Sequence, residues 1–314
     1  MADGVKLLEL VTADGRPLPP FVAGDHIVVE LGARLRRSYS LIGPPCADAM
    51  AYRVAVALNP AGRGGSIAAH ALQPGQSVRI SPPASGFPLV RTAAPTILIA
   101  GGIGITPMVA MVHQLMAWAA PWRLHYAFRS PAAAAFVDEL VGLGSRDPGA
   151  ASLYPDDAAG RPTLDVAKIV SDAPADAHLY CCGPEPMLDA FLDACRAHDE
   201  RRVHIERFAA PDDTPISTDR SGPHEDQHLT VQLARSGRMI SVAPQESILE
   251  ALLDAGESVD FSCMEGICGS CRTRVVEGIP EHRDAVLTDS ERAAGDAIMI
   301  CCSRAKGDRL VLDI

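Results

Sequence analysis

Phe261-Ser-Cys263-Met-Glu-Gly-Ile-Cys268-Gly-Ser-Cys271 holds three of the nine cysteines in this 314-residue chain. Four residues separate Cys263 from Cys268 and two separate Cys268 from Cys271; the next cysteines are Cys301 and Cys302, inside Ile298-Met-Ile-Cys-Cys-Ser303. C-x4-C-x2-C followed by a distant cysteine is the spacing of a plant-type [2Fe–2S] site, where one tight loop gives three thiolates and a remote segment the fourth. Gly266 and Gly269 fall between the ligands, where backbone must turn sharply and bring N–H groups toward sulfur without side-chain interference. Two other readings compete. Structural zinc takes two separated ligand pairs, whereas one C-x2-C pair here faces unpaired positions. A thioredoxin-type Cys268-Gly-Ser-Cys271 couple would follow a strand, open a helix and need no third or fourth cysteine. Neighbouring residues of an extended segment point to opposite faces, so one of Cys301 and Cys302 is expected to reach the irons. We take Cys301, with Cys263, Cys268 and Cys271.

Around this loop the pattern is that of a small mixed domain. Leu229-Thr-Val-Gln-Leu233 and Met239-Ile-Ser-Val242 flank Gly237 and predict a β-hairpin. Ser247 precedes an apolar stripe that ends at Gly256, which predicts a short capped helix. The other four cysteines lie far upstream, and an odd, uneven set does not fit a secreted disulfide framework. The formal net charge of −11 argues against a general affinity for nucleic acid or anionic lipid. Apolar runs such as Thr96 to Ala100 are too short to span a bilayer, and the first residues lack a signal-peptide pattern, so a cytoplasmic protein is expected. No internal repeat is visible.

From Pro95 onward strands and helices alternate, the mark of a parallel sheet. Thr96-Ile-Leu-Ile-Ala100 reads as a buried strand that Gly101-Gly-Ile-Gly-Ile-Thr-Pro107 carries into a helix. Thr106 is expected to cap that helix, Pro107 suits its first turn, and a phosphate would sit at its start. Ala177-His-Leu-Tyr-Cys-Cys-Gly-Pro-Glu-Pro-Met187 repeats the strand–turn–helix pattern. In a doubly wound sheet, ligands lie across such carboxyl ends. Neither turn is the G-x-G-x-x-G fingerprint, and each alone fits a purely structural turn equally well. Cys181 and Cys195 read as core or helix residues. Gly142 to Pro162 reads as a loop-rich stretch within this module.

Before Pro95, Phe21–Leu31 alternates with β-branched residues, and short strands there and at Arg36–Ile42 and Tyr52–Leu58, with Gly and Pro between them, predict a small antiparallel β-barrel that ends near Arg91. Arg37-Ser-Tyr-Ser40 sets a cation, an aromatic face and a hydroxyl along one strand, a set suited to an anionic ring-bearing ligand. Gly62-Arg-Gly-Gly-Ser-Ile-Ala-Ala-His70 is a glycine-rich turn entering a helix, where exposed N–H groups can hold phosphate. Each is commonplace alone; their order and distance make the pair informative. Ala209 to Asp226, with three prolines and four aspartates, reads as a linker.

The stretch from Cys263 to Ile314, with Glu281-His-Arg-Asp284, Leu287-Thr-Asp-Ser-Glu-Arg-Ala-Ala-Gly295 and Ile300-Cys-Cys-Ser-Arg304, resembles the ferredoxin domain of the phthalate dioxygenase reductase and vanillate demethylase reductase family. The two upstream segments resemble the flavin barrel and nucleotide fold of the ferredoxin-reductase superfamily. The resemblance implies three domains: an FMN-binding antiparallel β-barrel over 1–92, an NAD(P)-binding α/β doubly wound parallel sheet over 93–208, and, after a linker at 209–226, an α+β ferredoxin-like β-grasp domain over 227–314. It places the fourth cluster ligand at Cys301, leaving Cys302 as a passenger. It implies that Tyr39 lies along the isoalloxazine, Ser40 near its reactive nitrogen and Arg37 on the phosphate side, with Ser38 in the same strand and Gly64, Gly65 and Ser66 at the phosphate. It further implies that Gly102, Gly104, Gly183 and Pro184 line the nucleotide, with Thr106 near the nicotinamide and Cys182 beside the hydride path. Arg129 and Ser130 would meet the adenosine ribose, and Phe208 would pack on the flavin unless it is an ordinary core residue. Serine with a cation fits a 2′-phosphate, so the residues leave NADPH open, while the resemblance favours NADH. Relatives begin with an extra strand before the segment equivalent to Val5–Val11, so the barrel is expected to lack one edge or to start upstream.

By that resemblance the chain is the reductase component of a Rieske-type oxygenase that acts on an aromatic acid or ether, and it is expected to work as a monomer. Nicotinamide gives two electrons at once and a cluster accepts one, which is why a flavin must stand between them. Two alternatives stay open: a reductase for another monooxygenase or a haem acceptor, and an iron–sulfur redox sensor whose nucleotide module is vestigial.

Overall fold

In a computed structural model of the protein, the described residues are 2–32, 35–62, 64–144, 150–156, 163–208, 228–244, 246–261, 263–264, 266–267 and 269–314. They fall into two compact units, Met1–Arg207 and Phe208–Ile314. The linker read at Ala209–Asp226 and the ligand read at Cys268 lie outside the described residues. Among the described residues, no helix is long and apolar enough to cross a membrane.

The first unit begins with β1 (Val5–Leu10), β2 (Asp25–Gly32), β3 (Leu35–Ser40), β4 (Tyr52–Ala57), α1 (Gly65–Ala71) and the two-residue strands β5 (Arg79–Ile80) and β6 (Ala84–Ser85). β2 pairs antiparallel with β3, β5 and β6, and β1 pairs antiparallel with β4. An isolated bridge between Ile42 and Arg53 joins the two ladders. Alternation explains the curl: Ile27, Val29, Tyr52, Val54 and Val56 point into one apolar interior with Leu8, Leu41 and Ala69. Each such side chain contributes about 1.5–3 kcal/mol on full burial. α1 is held at its end by Lys6, whose Nζ donates to the carbonyls of His70 at 2.8 Å and Leu72 at 2.5 Å.

The unit continues with β7 (Thr96–Gly101), α2 (Ile105–Ala117), β8 (Trp122–Phe128), α3 (Val137–Gly144), β9 (Ala151–Pro155), α4 (Val166–Asp172), β10 (His178–Cys182), α5 (Glu185–Ala194) and β11 (Val203–Glu206). All neighbouring strand pairs are parallel, in the order β11-β10-β7-β8-β9. Chain order therefore reverses between β7 and β10, which makes their carboxyl ends the crevice of a doubly wound sheet. The near-continuous apolar runs of β7 and β10 follow from burial on both faces. Leu98, Ala100, Tyr126, Tyr180 and Cys182 share one core with α2 and with Ala23, Ile42, Ala55 and Phe87 of the barrel. Ile97, Ile99, Leu179, Cys181 and Cys195 pack on the other face with α4 and α5. β9 is a short strand within the loop-rich stretch from Gly142 to Pro162, its five residues too few to show a period in the sequence.

The second unit contains β12 (Leu229–Leu233), β13 (Met239–Val242), α6 (Ile248–Asp254), β14 (Arg272–Glu277), β15 (Pro280–Glu281), α7 (Asp289–Ala294), β16 (Ala297–Met299), β17 (Arg304–Ala305) and β18 (Arg309–Leu312). The sheet runs β13-β12-β18-β14-β16, with β18 inserted parallel beside β12. This five-stranded sheet with a helix across it has the α+β arrangement expected. Ser247 and Thr288 open α6 and α7 with reciprocal capping boxes to Glu250 and Glu291. Ile248, Leu249 and Leu252 of α6 pack with Val231, Ile298, Ile300 and Leu310 in a single core.

Candidate cofactor sites

The nucleotide crevice is built by the close approach of two turns. A Cβ on Gly104 would lie 2.2 Å from the carbonyl oxygen of Cys182 and 3.0 Å from the Gly183 nitrogen. One on Gly101 would meet Pro184 at 2.6 Å and Met187 at 2.8 Å, and one on Gly183 would meet the Met187 sulfur at 2.7 Å. At Gly104 the obstacle is backbone, so a side chain there would push the two turns apart at the switch point, whereas at Gly101 and Gly183 the neighbours are the Pro184 ring and the end of the Met187 side chain. Met187, which the sequence reading did not single out, fills the space the glycines leave. Gly102 differs: it has φ +54° and nothing within 4 Å of a Cβ position, so conformation rather than crowding requires glycine there.

Thr106 corrects an expectation. α2 begins at Ile105 with Gly104 as its cap, and the Thr106 hydroxyl, almost wholly buried, donates back to the Ile103 carbonyl at 3.1 Å. It braces the turn instead of capping the helix. Cys182 is fully buried beside Glu206, its register partner on β11. Burial first, then the Glu206 charge, holds its thiol pKa well above the ordinary value, so the thiol stays protonated within the core shared with α2. Arg129 is exposed just beyond β8 and Ser130 begins the short 3-10 turn at Pro131–Ala133. Arg207 closes the far side, pairing with Glu185 at 3.1 Å and fixing the end of β11 to the start of α5. Phe208 is 42% exposed, which excludes the ordinary core role.

In the barrel the two separately read motifs meet. A Cβ on Gly65 would stand 2.6 Å from Nε and 2.7 Å from Cγ of Arg37, so the arginine stem lies directly over the first residue of α1. Gly64 caps the helix in a left-handed conformation, φ +79°, with open space at its Cβ position. Tyr39 is half-buried and Ser40 buried, opposite Ile27 and His26 on β2. Ser66 is already engaged: its hydroxyl accepts from the Asn59 N–H at 3.0 Å and lies 3.1 Å from the Asn59 carbonyl. Its side chain therefore ties the loop to the helix. A cation laid over a glycine turn with an open approach fits a flavin phosphate.

In the second unit the cysteine loop carries the marks of a built cradle. Gly266 and Gly269 have φ +73° and +77°, and Met264 takes φ +57°, a strained conformation for a non-glycine residue. The Cys263 sulfur accepts from the Ile267 N–H at 3.4 Å. Side-chain hydrogen bonds with Cys271 and then Cys302, together with burial, push the Cys301 thiol pKa upward. Among the described residues no three side chains are grouped at metal-ligand distances, Cys268 not being among them.

The expectation that Cys301 and Cys302 point to opposite faces of an extended segment is corrected. Both lie in a turn after β16, where the N–H groups of Cys302 and Ser303 donate to the Met299 carbonyl at 3.3 and 3.0 Å. A Cβ on Gly266 would meet the Cys302 sulfur at 2.5 Å. Asp284 is the anchor that residue-level reading missed. Fully buried, it accepts from the N–H groups of Val286 at 3.0 Å and Leu287 at 2.8 Å and from Ser303 Oγ at 3.4 Å, and its own Cα backs Gly266. An isolated aspartate gives no periodic signal, so only its place in Glu281-His-Arg-Asp284 hinted at a role.

Residues 231–306 match the family model of the 2Fe-2S iron-sulfur cluster binding domain, and residues 98–193 that of the oxidoreductase NAD-binding domain. The chain is 44% identical over 314 residues to the phenoxybenzoate dioxygenase subunit beta of Ectopseudomonas oleovorans, covering 100% of this chain and 94% of that one. It is 39% identical over 317 residues to the vanillate O-demethylase oxidoreductase of Pseudomonas sp. (strain HR199 / DSM 7063), covering 100% and 96%. Among solved structures it is similar to phthalate dioxygenase reductase, described as a modular structure for electron transfer from pyridine nucleotides to [2Fe–2S], with TM-score 0.77, 37% identity and coverage of 100% and 94%. An intact type IV self-sufficient cytochrome P450 monooxygenase matches with TM-score 0.73 and 38% identity, this whole chain corresponding to 39% of that one. Identity at this level over the whole chain, together with a glycine-closed nucleotide crevice and a C-x4-C-x2-C loop, shows the family: the chain belongs to the phthalate dioxygenase reductase and vanillate O-demethylase reductase family of NAD(P)H-dependent flavin iron–sulfur reductases.

Proposed function

We propose that this chain is the reductase component of a Rieske-type oxygenase system acting on an aromatic acid or ether, and that it takes electrons from NADH and hands them on singly. The observation that carries this reading is the meeting of the two nucleotide turns at Gly104 and Cys182 on the same polypeptide as a three-cysteine loop with a remote fourth cysteine, which puts a two-electron donor site and a one-electron carrier site in series. Bound FMN supplies the step between them, because it accepts hydride and releases electrons one at a time.

The chain's own residues bind, orient and exclude water. Arg37 and the backbone of Gly64, Gly65 and Ser66 hold the flavin phosphate, while Ser38, Tyr39 and Ser40 line its ring. Gly102, Gly104, Thr106, Cys182, Gly183 and Pro184 set the nicotinamide against that ring; Arg129 and Ser130 hold the adenosine ribose, and Phe208 covers the flavin. Cys263, Cys268, Cys271 and Cys301 ligate the cluster, and Asp284 fixes the loop that carries them. The proposed boundaries are 1–92 for the flavin barrel, 93–208 for the nucleotide fold, 209–226 for the linker and 227–314 for the ferredoxin domain, in a monomer of the cytoplasm.

After anaerobic reconstitution with iron, sulfide and FMN, the coloured protein should oxidise NADH steadily with a one-electron dye as acceptor. Material that stays colourless would end the proposal. A protein that binds flavin and nucleotide yet does not turn over would favour a redox sensor instead. The similarity to part of a self-sufficient cytochrome P450 monooxygenase supports one second reading, a haem monooxygenase as acceptor. Reduction of a purified partner oxygenase by NADH through this chain distinguishes the two.

A further inference from the structure

Glu139 has no place in the sites described above, yet its carboxylate joins three elements of the first unit. Reaching from α3, it accepts from Nε2 of His113 on α2 at 2.9 Å, since a carboxylate can only accept, and it faces Nη2 of Arg53 on β4 at 3.6 Å. α2 is the helix that opens from the turn at Gly104, and β4 belongs to the barrel. Arg53 is tied in turn to the strand that carries the flavin residues: its carbonyl accepts from the Ile42 N–H at 2.9 Å, just beyond Ser40, and a Cβ on Gly43 would stand 3.7 Å from its Nη1. The three side chains are between 19% and 32% exposed, so water screens their charges only in part. The segment leading into α3 is the one that carries Arg129 and Ser130, and it is pinned along its length. The Ala132 carbonyl accepts from the Asp3 N–H at 2.6 Å, just before β1 of the barrel, and the Ala135 N–H donates to the hydroxyl of fully buried Tyr126 at 3.2 Å. Phe136 then takes φ +61°, a left-handed conformation that a bulky residue keeps only when its surroundings impose it. A shift of α3 would therefore carry Arg129 and Ser130 with it.

We infer that Glu139 is a positioning residue for the nucleotide: through Arg53 and His113 it holds the adenosine-ribose loop in register with the flavin strand and the Gly104 turn, so that one dinucleotide can span them. A ligand held at both ends binds more tightly when its two anchors already stand at the right separation, because less order has to be imposed on binding. Removing the charge of Glu139 takes from Arg53 and His113 the partner they share and loosens α3. The adenosine half of the nucleotide should then bind less well, while the hydride step, which occurs at the other half, is unaffected. The inference rests on the proposed assignment of Arg129 and Ser130 to the ribose.

The experiment measures 5′-AMP binding by calorimetry, and ferricyanide reduction by NADH, on the full-length FMN-loaded protein and its Glu139→Gln variant, with FMN content and melting temperature recorded for each. Glu139→Gln keeps the shape of the side chain and removes its charge. It should raise the 5′-AMP dissociation constant and the KM for NADH together, by roughly three- to tenfold for a partly buried pair with a second partner. Its kcat should stay near the wild-type value, the pattern of a lost interaction that is equal in ground and transition states. Arg53→Met should reproduce the change from the barrel side, and Arg53→Lys, which keeps a cation, should lie closer to wild type. Unchanged 5′-AMP affinity in Glu139→Gln, whatever its melting temperature, would overturn the inference, as would a fall in kcat at constant KM. If Glu139→Gln does not fold, the Arg53 variants decide, and wild-type 5′-AMP affinity in Arg53→Met counts against the inference. Arg129→Ala separates the inference from the assignment beneath it. Unchanged 5′-AMP affinity in that variant would sink the ribose assignment and the inference with it, whereas a loss there with none in Glu139→Gln would sink the inference alone.

Discussion

Gly104 shows how one hydrogen atom in place of a methyl group sets a site. Its neighbour at 2.2 Å is a backbone carbonyl, which cannot swing aside as a side chain can. Gly104→Ala should therefore destabilise the first unit by about 1–3 kcal/mol through overpacking and weaken nucleotide binding as β7 and β10 part. The check is thermal melting with and without NADH, where about 2–4 °C is lost per kcal/mol in a unit of this size; an unshifted melt would mean that the turns do not meet as closely. Arg37 makes the opposite argument, a side chain needed for its charge. Arg37→Ala should weaken FMN retention by about 1.5–3 kcal/mol, the range for a hydrogen bond to a charged group. Equilibrium dialysis showing unchanged flavin affinity would remove Arg37 from the site.

Elements carry the next effect, in the ring stack between β10 and β11. His204 lies 4.2 Å, centroid to centroid, over Tyr180 at an interplanar angle of 16°, and its Nε2 is 3.1 Å from Nδ1 of His178. Burial first, then the neighbouring His178, lowers the His204 pKa from 6.5 to about 4, and burial also lowers that of His178. A histidine whose folded pKa lies below its unfolded value binds fewer protons when folded, so its contribution to stability is complete above the unfolded pKa. That contribution is lost as pH falls from about 6.5 toward about 4. The urea midpoint of the protein should thus fall between about pH 7 and about pH 5, above most carboxylate titration, and His204→Phe should flatten the decline. An equal slope in the variant would show that the stack does not titrate. The same stack has a structural task, since the Tyr180 hydroxyl accepts from the Val90 N–H at 2.9 Å and donates to the Pro88 carbonyl at 3.2 Å, tying the last segment of the barrel to the sheet.

For the whole molecule, sites in series predict that function can be cut in one place and kept in another. Cys301→Ser should lose the visible spectrum of the cluster while Cys302→Ser keeps it. The cluster-free Cys301→Ser protein should still reduce ferricyanide from NADH at a rate near wild type, since hydride uptake needs only the first unit, and should no longer reduce an oxygenase partner. Loss of both activities would mean that the cluster domain is needed for the flavin chemistry itself. The series order was readable from the chain because each carrier leaves a local mark: cysteines at fixed spacing, glycines at a strand-to-helix turn, a cation beside an aromatic ring and hydroxyls on one short strand. The hairpin from Leu229 to Val242 and the capped helix after Ser247 were equally plain, since alternation and capping are short-range properties.

What spacing and periodicity settled was which elements form and which residue types are available at each site, because backbone geometry at turns, caps and strands is dictated within a few residues. What they could not settle was every relation between segments far apart in the chain. That Gly104 exists to let Cys182 approach, that Arg37 lies over Gly65, that Thr106 braces a turn rather than capping a helix, and that Cys301 and Cys302 leave one turn toward the same loop all depend on distances across the fold. Neighbours in a chain report on local conformation, whereas crowding, burial and shared protons arise only when packing brings separate segments within a few ångströms of one another.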